Sequence, residues 1–192
     1  MAKKTKILRV GFDLDGVILY NPVRIIRPLI YIFKKLFLKK RLKKFWIPEK
    51  PWEKWLWSLA HKSSIFISPG FEDIKKLVKE KKIKAYIVTS RFSFLKNDFQ
   101  SWLEKIDADE YFSGAFFNEK NEQPHLFKEK IIQKLKLDIF VEDNWNIVEH
   151  LNNKYKGKIY WIYNLFDKTI SYQYKFPSLK KTVTFIHNKL KK

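Results

Sequence analysis

Two carboxylates two residues apart, followed by a glycine, form the most chemically suggestive local pattern in the sequence: Asp13-Leu14-Asp15-Gly16. At the end of a strand, with Gly16 permitting a sharp turn, Asp13 and Asp15 can gather with the distant Asp143 around one hard cation. Without a cation, such a group repels itself and partly protonates. Mg²⁺ suits it, because Mg²⁺ prefers oxygen ligands, keeps some water and commonly bridges carboxylates to a substrate phosphate. Neutralising the phosphate lets a carboxylate approach it as a nucleophile. Further polar groups lie downstream in Thr89-Ser90-Arg91, Lys128 and Glu142-Asp143-Asn144.

These residues need a frame that brings them together. Lys6–Phe12 is a short apolar-rich run that reads as a buried strand delivering Asp13 to its carboxyl end. Ser68-Pro69-Gly70 predicts a cap and a first-turn proline for a helix over Phe71–Lys81. Strands are then predicted over Ile83–Val88, Tyr111–Phe117, Asp138–Val141 and Lys158–Tyr163. Helices are predicted over Phe94–Lys105, Pro124–Lys136, Trp145–Asn153 and Ser178–Leu190. This alternation implies an α/β fold, Rossmann-like and doubly wound, with a mostly parallel sheet and its chemistry at the carboxyl ends of the strands. Residues 20–68 break the alternation and read as a small helical cap inserted after the first strand, which leaves 1–19 and 69–192 as the catalytic core.

Four elements in this order, at these strand ends, resemble the haloacid dehalogenase-like (HAD) hydrolase superfamily, most specifically in the string FDLDGV at Phe12–Val17. The insertion lies where the C1 caps of that superfamily lie, and the TSR-like and acidic motifs are similar to its phosphatase and nucleotidase branch. The resemblance implies a Mg²⁺-dependent phosphomonoesterase acting on a nucleotide or other small phosphate monoester; a phosphomutase stays open. It implies that Asp13 is the nucleophile that forms an aspartyl-phosphate. It assigns Asp15 as the general acid and base, offering its backbone carbonyl to Mg²⁺. Thr89, with Ser90 beside it, would bind the phosphoryl oxygens, and Lys128 would supply the fixed positive charge, with Lys130 competing for that role. Asp143 would ligate Mg²⁺ directly and Glu142 through water. Asn144 reads as the cap of the next helix.

Charge is unevenly distributed. The chain carries a formal +20, and residues 1–96 hold 24 basic against 7 acidic residues, whereas 97–192 hold 16 against 13. From Tyr20 to Pro48 there are nine Lys or Arg and no acid. Arg24 and Arg27 follow the catalytic loop closely enough to bind an anionic leaving group at the pocket mouth. Residues 24–46 also fit a nucleic-acid-binding face or an amphipathic helix on an anionic membrane surface, the alternative being a solvated cap helix packed on Trp52, Trp55 and Trp57. An oligonucleotide end phosphatase or binding module is accordingly the alternative function. Arg91 reads as a surface or loop-anchoring residue. His61, His125, His150 and His187 fall in different elements and suggest no metal site. The absence of Cys excludes disulfides, thiolate-bound metals and a thiol nucleophile. No apolar run is long enough to cross a bilayer, and a cytoplasmic enzyme is expected.

Overall fold

The computed structural model describes residues 7–21, 45–62, 64 and 66–190, and elements are numbered over these residues. Arg24, Arg27 and the basic stretch Lys34–Lys44 lie outside them. The main sheet has six parallel strands in the order β5 (Phe112–Asn118), β4 (Ile83–Phe92), β1 (Leu8–Phe12), β6 (Ile139–Glu142), β7 (Lys158–Ile162), β8 (Lys175–Phe176). Successive strands step outward from β1 to β5, then return to its other side at β6. The carboxyl edge between β1 and β6 is therefore the point where the strand order reverses, the usual crevice for ligands in open α/β sheets.

Both faces of the sheet are apolar, and residue parity separates them. Val10 and Phe12 of β1, Ile87 of β4, Val141 of β6 and Ile162 of β7 point into one core. That core is closed by α2 (Phe71–Lys79), α3 (Lys96–Lys105), the short α4 (Ala108–Tyr111) and α7 (Leu179–Leu190). Tyr86, Val88, Phe140, Ile159 and Trp161 point into the other, closed by α5 (Pro124–Leu135) and α6 (Trp145–Lys154). Gly11 belongs to this second face. A Cβ there would lie 2.4 Å from Leu137 Cδ1 and 2.9 Å from Phe140 Cδ2, so the bare backbone of β1 makes room for β6 to pack across it.

Most predicted elements occur within a few residues of their expected bounds; the differences have local causes. α2 starts at Phe71, but its N-cap is Gly70 at φ 105°, so neither the Ser68 side chain nor Pro69 serves as predicted. A Cβ at Gly70 would come within 2.6 Å of the Lys180 backbone, a close approach that favours glycine there. β4 continues past Val88 to Phe92, which places Thr89-Ser90-Arg91 within the strand instead of beyond it. Between Thr89 and Phe92 its register with β5 slips, because three steps along β4 match one along β5, from Phe117 to Asn118. No local sequence pattern marks the two-residue edge strand β8 or the equally short antiparallel pair of β2 (Leu19–Tyr20) with β3 (Phe66–Ile67), which ties the two ends of the insertion together. Within the insertion, α1 (Pro51–Lys62) has no buried residue, and Trp52 and Trp55 are exposed; the basic helix expected to pack on them lies outside the described residues.

Phe140, fully buried in β6, links the second core to the strand that carries Glu142. Phe140→Ala should lower the unfolding free energy by about 3–5 kcal/mol, since it removes a ring and leaves a cavity. The loss is read from the shift of the urea midpoint at unchanged slope; a loss under about 1 kcal/mol would show that the second core does not hold β6.

Candidate active site

Parity brings the first set of functional groups together. Asp13 continues the Gly11 face of β1, and Glu142 continues the Phe140 face of β6, so both carboxylates emerge on the side covered by α5. Asp13 N donates to Val141 O at 2.9 Å, which extends the β1–β6 pairing to the site itself. α5 begins with Pro124 in its first turn, where a missing N–H costs nothing, and turns Lys128 toward the sheet beside buried Phe127 and Ile132. Lys128 is buried, and its Nζ donates to Asp13 Oδ2 at 2.7 Å and to Glu142 Oε2 at 2.6 Å. Lys130 is about 200° farther around the helix; it lies on the surface and pairs with Glu122 at 3.1 Å.

Asp143 completes the cluster. The carboxylate oxygens of Asp13, Glu142 and Asp143 lie within 4.8 Å of one another. Gly16, at φ 82°, sits directly against Asp143: a Cβ there would stand 2.2 Å from Asp143 Oδ2. Any other residue would therefore both strain the turn and displace this carboxylate. Trp161 Nε1 donates to the Asp143 carbonyl at 3.2 Å, and Asn144 caps α6 by accepting from Asn146 N at 3.1 Å. Burial pushes the Asp13 carboxyl well above its ordinary range; Lys128 opposes this, while Glu142 and Asp143 add to it. Burial likewise pushes Glu142 up, against the charge of Lys128. Fully ionised, the three carboxylates facing one ammonium would carry two negative charges in excess. An all-oxygen donor set with that excess fits a divalent cation such as Mg²⁺.

Asp15, only two residues from Asp13, has the opposite surroundings. Its carboxylate accepts from Arg91 Nε and Nη2, both at 2.8 Å, and from Ser64 Oγ at 2.9 Å. His61 Nε2 is 3.8 Å away. Burial alone would raise the Asp15 pKa, but the charge and hydrogen bonds of Arg91 outweigh it and hold the carboxyl well below the usual range. Arg91 is buried and anchored on its far side by Asp98. It is thus a site residue, not the surface or loop-anchoring residue the sequence suggested. The register slip after Thr89 breaks the alternation from which its direction would have been read.

These groups open into a cavity of about 960 Å³. Thr89 and Ser90 line it; Thr89 Oγ1 accepts from Arg91 N at 3.4 Å, and Ser90 Oγ is buried with no hydrogen-bond partner among the described residues. Trp46, Trp57 and Phe92 make a contiguous aromatic lining, with ring centroids 5.6 Å and 6.1 Å apart. Gln123 pins the middle of the insertion to the start of α5 by accepting from Phe45 N at 2.9 Å and donating to Phe45 O at 3.3 Å. Three of the histidines that fall in different elements line this one cavity. His61 lines the cavity from α1, and His125 and His150 line it from α5 and α6 with their rings 4.6 Å apart. His150 pairs with Glu129 at 2.6 Å, whereas His187 lies elsewhere, 3.4 Å from Lys82. Tertiary packing alone assembles this group, and no local pattern marks it.

No family model and no curated protein matches the sequence. Among solved structures, an HAD hydrolase of family IA, variant 3, from Entamoeba histolytica superposes with a TM-score of 0.62 at 14% identity, covering 97% of this chain and 100% of that one. CbbY from Rhodobacter sphaeroides, solved in complex with phosphate, superposes with a TM-score of 0.55 at 13% identity, covering 92% and 96%. An HAD-superfamily hydrolase from Ehrlichia chaffeensis gives 0.54 at 13% identity, covering 94% and 96%. At such identities the likeness is one of fold: the chain has the α/β architecture of HAD-superfamily hydrolases over nearly its whole length.

Proposed function

We propose that this protein is a phosphomonoesterase that works through phosphorylated Asp13 and requires Mg²⁺ or a similar divalent cation. The observation that carries this reading is the buried bridge of Lys128 between Asp13 and Glu142, with Asp143 beside it, at the crevice where the strand order reverses. Asp13, Asp143 and the backbone carbonyl of Asp15 would hold the cation. Both Glu142 oxygens are already engaged, one by Lys128 and the other by the N–H groups of Asp143 and Asn144, which fits contact through water. When bound, the cation would neutralise the charge of the substrate phosphate.

An Asp13 oxygen attacks phosphorus as the bond to the leaving oxygen breaks, and the leaving oxygen takes a proton from Asp15. Water then attacks the phosphorus of the aspartyl-phosphate; Asp15 accepts its proton, the bond to Asp13 breaks and inorganic phosphate leaves. Lys128 keeps a fixed positive charge beside the nucleophile, and the Thr89 and Ser90 hydroxyls donate to phosphoryl oxygens. Arg91 holds Asp15 as a carboxylate, so donating a proton requires Asp15 first to leave the Arg91 fork and take one up. The cavity is large enough for a nucleotide, and the lining of Trp46, Trp57 and Phe92 suits a flat ring, which favours a nucleotide over an open-chain ester.

Asp13→Asn keeps shape at the end of β1 but removes the nucleophile, so turnover should fall at least a thousandfold or so; a folded Asp13→Asn protein that retains substantial turnover rules out the covalent route. EDTA should abolish activity and added Mg²⁺ restore it, with Asp143→Asn raising the Mg²⁺ concentration needed for half-maximal rate by about tenfold or more. Full activity in protein verified metal-free by mass spectrometry would remove the cation from the reading. Lys128→Met should lower kcat by roughly a hundredfold or more while Lys130→Met leaves it unchanged; equal effects of the two would dissolve the assignment of Lys128.

A further inference from the structure

One wall of the cavity takes no part in the chemistry proposed above. α5 follows β5 and leads into β6, so it runs against the parallel strands and begins at their carboxyl edge. His125 stands in its first turn, three residues before Lys128, which puts the two side chains on one side of the helix with Cβ atoms about 5–6 Å apart and His125 nearer the cavity mouth. A phosphoryl group beside Asp13 and Lys128 therefore has its leaving group extending past His125. The His125 ring lies between Phe45, with ring centroids 5.7 Å apart, and His150, at 4.6 Å and 73°. His150 is itself fixed, since its Nε2 donates to Glu129 Oε2 at 2.6 Å.

The hydrogen bonding of His125 is one-sided. Its Nδ1 is buried and has no partner among the described residues, although the ring lines the cavity. A buried N–H without an acceptor is a rarer defect than a buried lone pair without a donor, so the proton of the neutral ring sits on Nε2. Burial and the neighbouring His150 push the His125 pKa down, against a weaker opposing effect of Glu129, which keeps the ring neutral near pH 7. His125 thus offers the cavity a neutral N–H donor. Asn146, Glu149 and Asn153, three and four residues apart along α6, line the same cavity with amide and carboxylate groups. Lys154 and Glu149 oppose each other in formal charge, so this wall suits a neutral, hydroxyl-bearing ring better than a second phosphate.

We propose that His125 is a specificity-determining residue that donates from Nε2 to a sugar hydroxyl of the leaving alcohol, the polar face of α6 receiving the rest of the sugar. This role rests on the phosphomonoesterase reading, in which that alcohol leaves phosphorus beside Asp13. A ligand that lacks the hydroxyl leaves the donor unpaired, which is how a site of this kind rejects a deoxy analogue.

The test is calorimetric binding, with Mg²⁺ present, of the phosphonate analogue of adenosine monophosphate, its dideoxy counterpart and the base-free ribose analogue. A methylene replaces the leaving oxygen in each, so none can be hydrolysed and the readout does not depend on turnover. Hydrolysis of p-nitrophenyl phosphate, which offers no sugar hydroxyl, reports separately on the phosphomonoesterase reading. The full native chain should bind the ribonucleoside analogue about tenfold or more tightly than the dideoxy one. His125→Phe keeps a ring but removes the donor, and should erase that preference while leaving dideoxy binding and the thermal midpoint unchanged. His125→Gln returns an N–H at similar reach and should restore most of it. Comparable binding of the base-free analogue, lost in His125→Phe, makes a sugar phosphate the source of the hydroxyl; much weaker binding makes it a nucleotide, and either supports the role. Absence of a hydroxyl preference in the native chain, or of binding by all three analogues, overturns it. An undiminished preference in His125→Phe does the same, as does an equal loss for both nucleoside analogues, which would mark the ring as packing alone.

Discussion

One buried ammonium facing three carboxylates organises the carboxyl edge of this sheet. Lys128 is held by Asp13 and Glu142, and burial would drive its proton off were their charges not there to raise its pKa well above the ordinary value. The carboxylates depend on it equally, because without Lys128 they would be three like charges in a site of low dielectric. Such a group survives only if its members are placed to within a fraction of an ångström. The register of β1 with β6, the first turn of α5 and the bare backbone at Gly16 can each be understood as meeting that demand.

Two carboxylates two residues apart are thereby given opposite characters. Asp13 sits among other acids and is pushed toward the neutral form; Asp15 sits in the fork of Arg91 and is held ionised. These directions are the reverse of what the proposed roles need, so a cation at the acidic cluster has to hold Asp13 ionised, and Asp15 has to leave the Arg91 fork before it can carry a proton. The separation depends on the irregularity in β4, which turns Arg91 inward, and on Asp98, which anchors the guanidinium from behind.

The insertion contributes to the site itself as well as covering it. Ser64 donates to Asp15, His61 lies beside it, and Trp46 and Trp57 line the cavity with the core residue Phe92. Any movement of the insertion is therefore felt at the carboxylate proposed to move protons. Its described attachments, the hydrogen bonds of Gln123 to Phe45 and the β2–β3 pair, both reach an apolar core: Leu19 and Ile67 pack in the first and Phe45 against the second. Among the described residues no helix is long and apolar enough to cross a membrane.

The sequence by itself determined most of the main sheet and its acidic carboxyl edge, because both rest on local regularities. Runs such as Lys6–Phe12 and Asp138–Val141 are apolar on both faces, as buried parallel strands must be, and their ends name Asp13, Glu142 and Asp143 before any coordinates exist. The choice between Lys128 and Lys130 was already less legible: both are lysines on one helix, and only the position of α5 over the sheet decides which turns inward. Arg91 escaped altogether, since a register slip between two strands cannot be read from either strand alone. The lining of one cavity by His61, His125 and His150, and the exposure of Trp52 and Trp55, likewise belong to tertiary structure. Local sequence fixes periodicity and turn chemistry, whereas the partner of a side chain depends on elements far away in the chain.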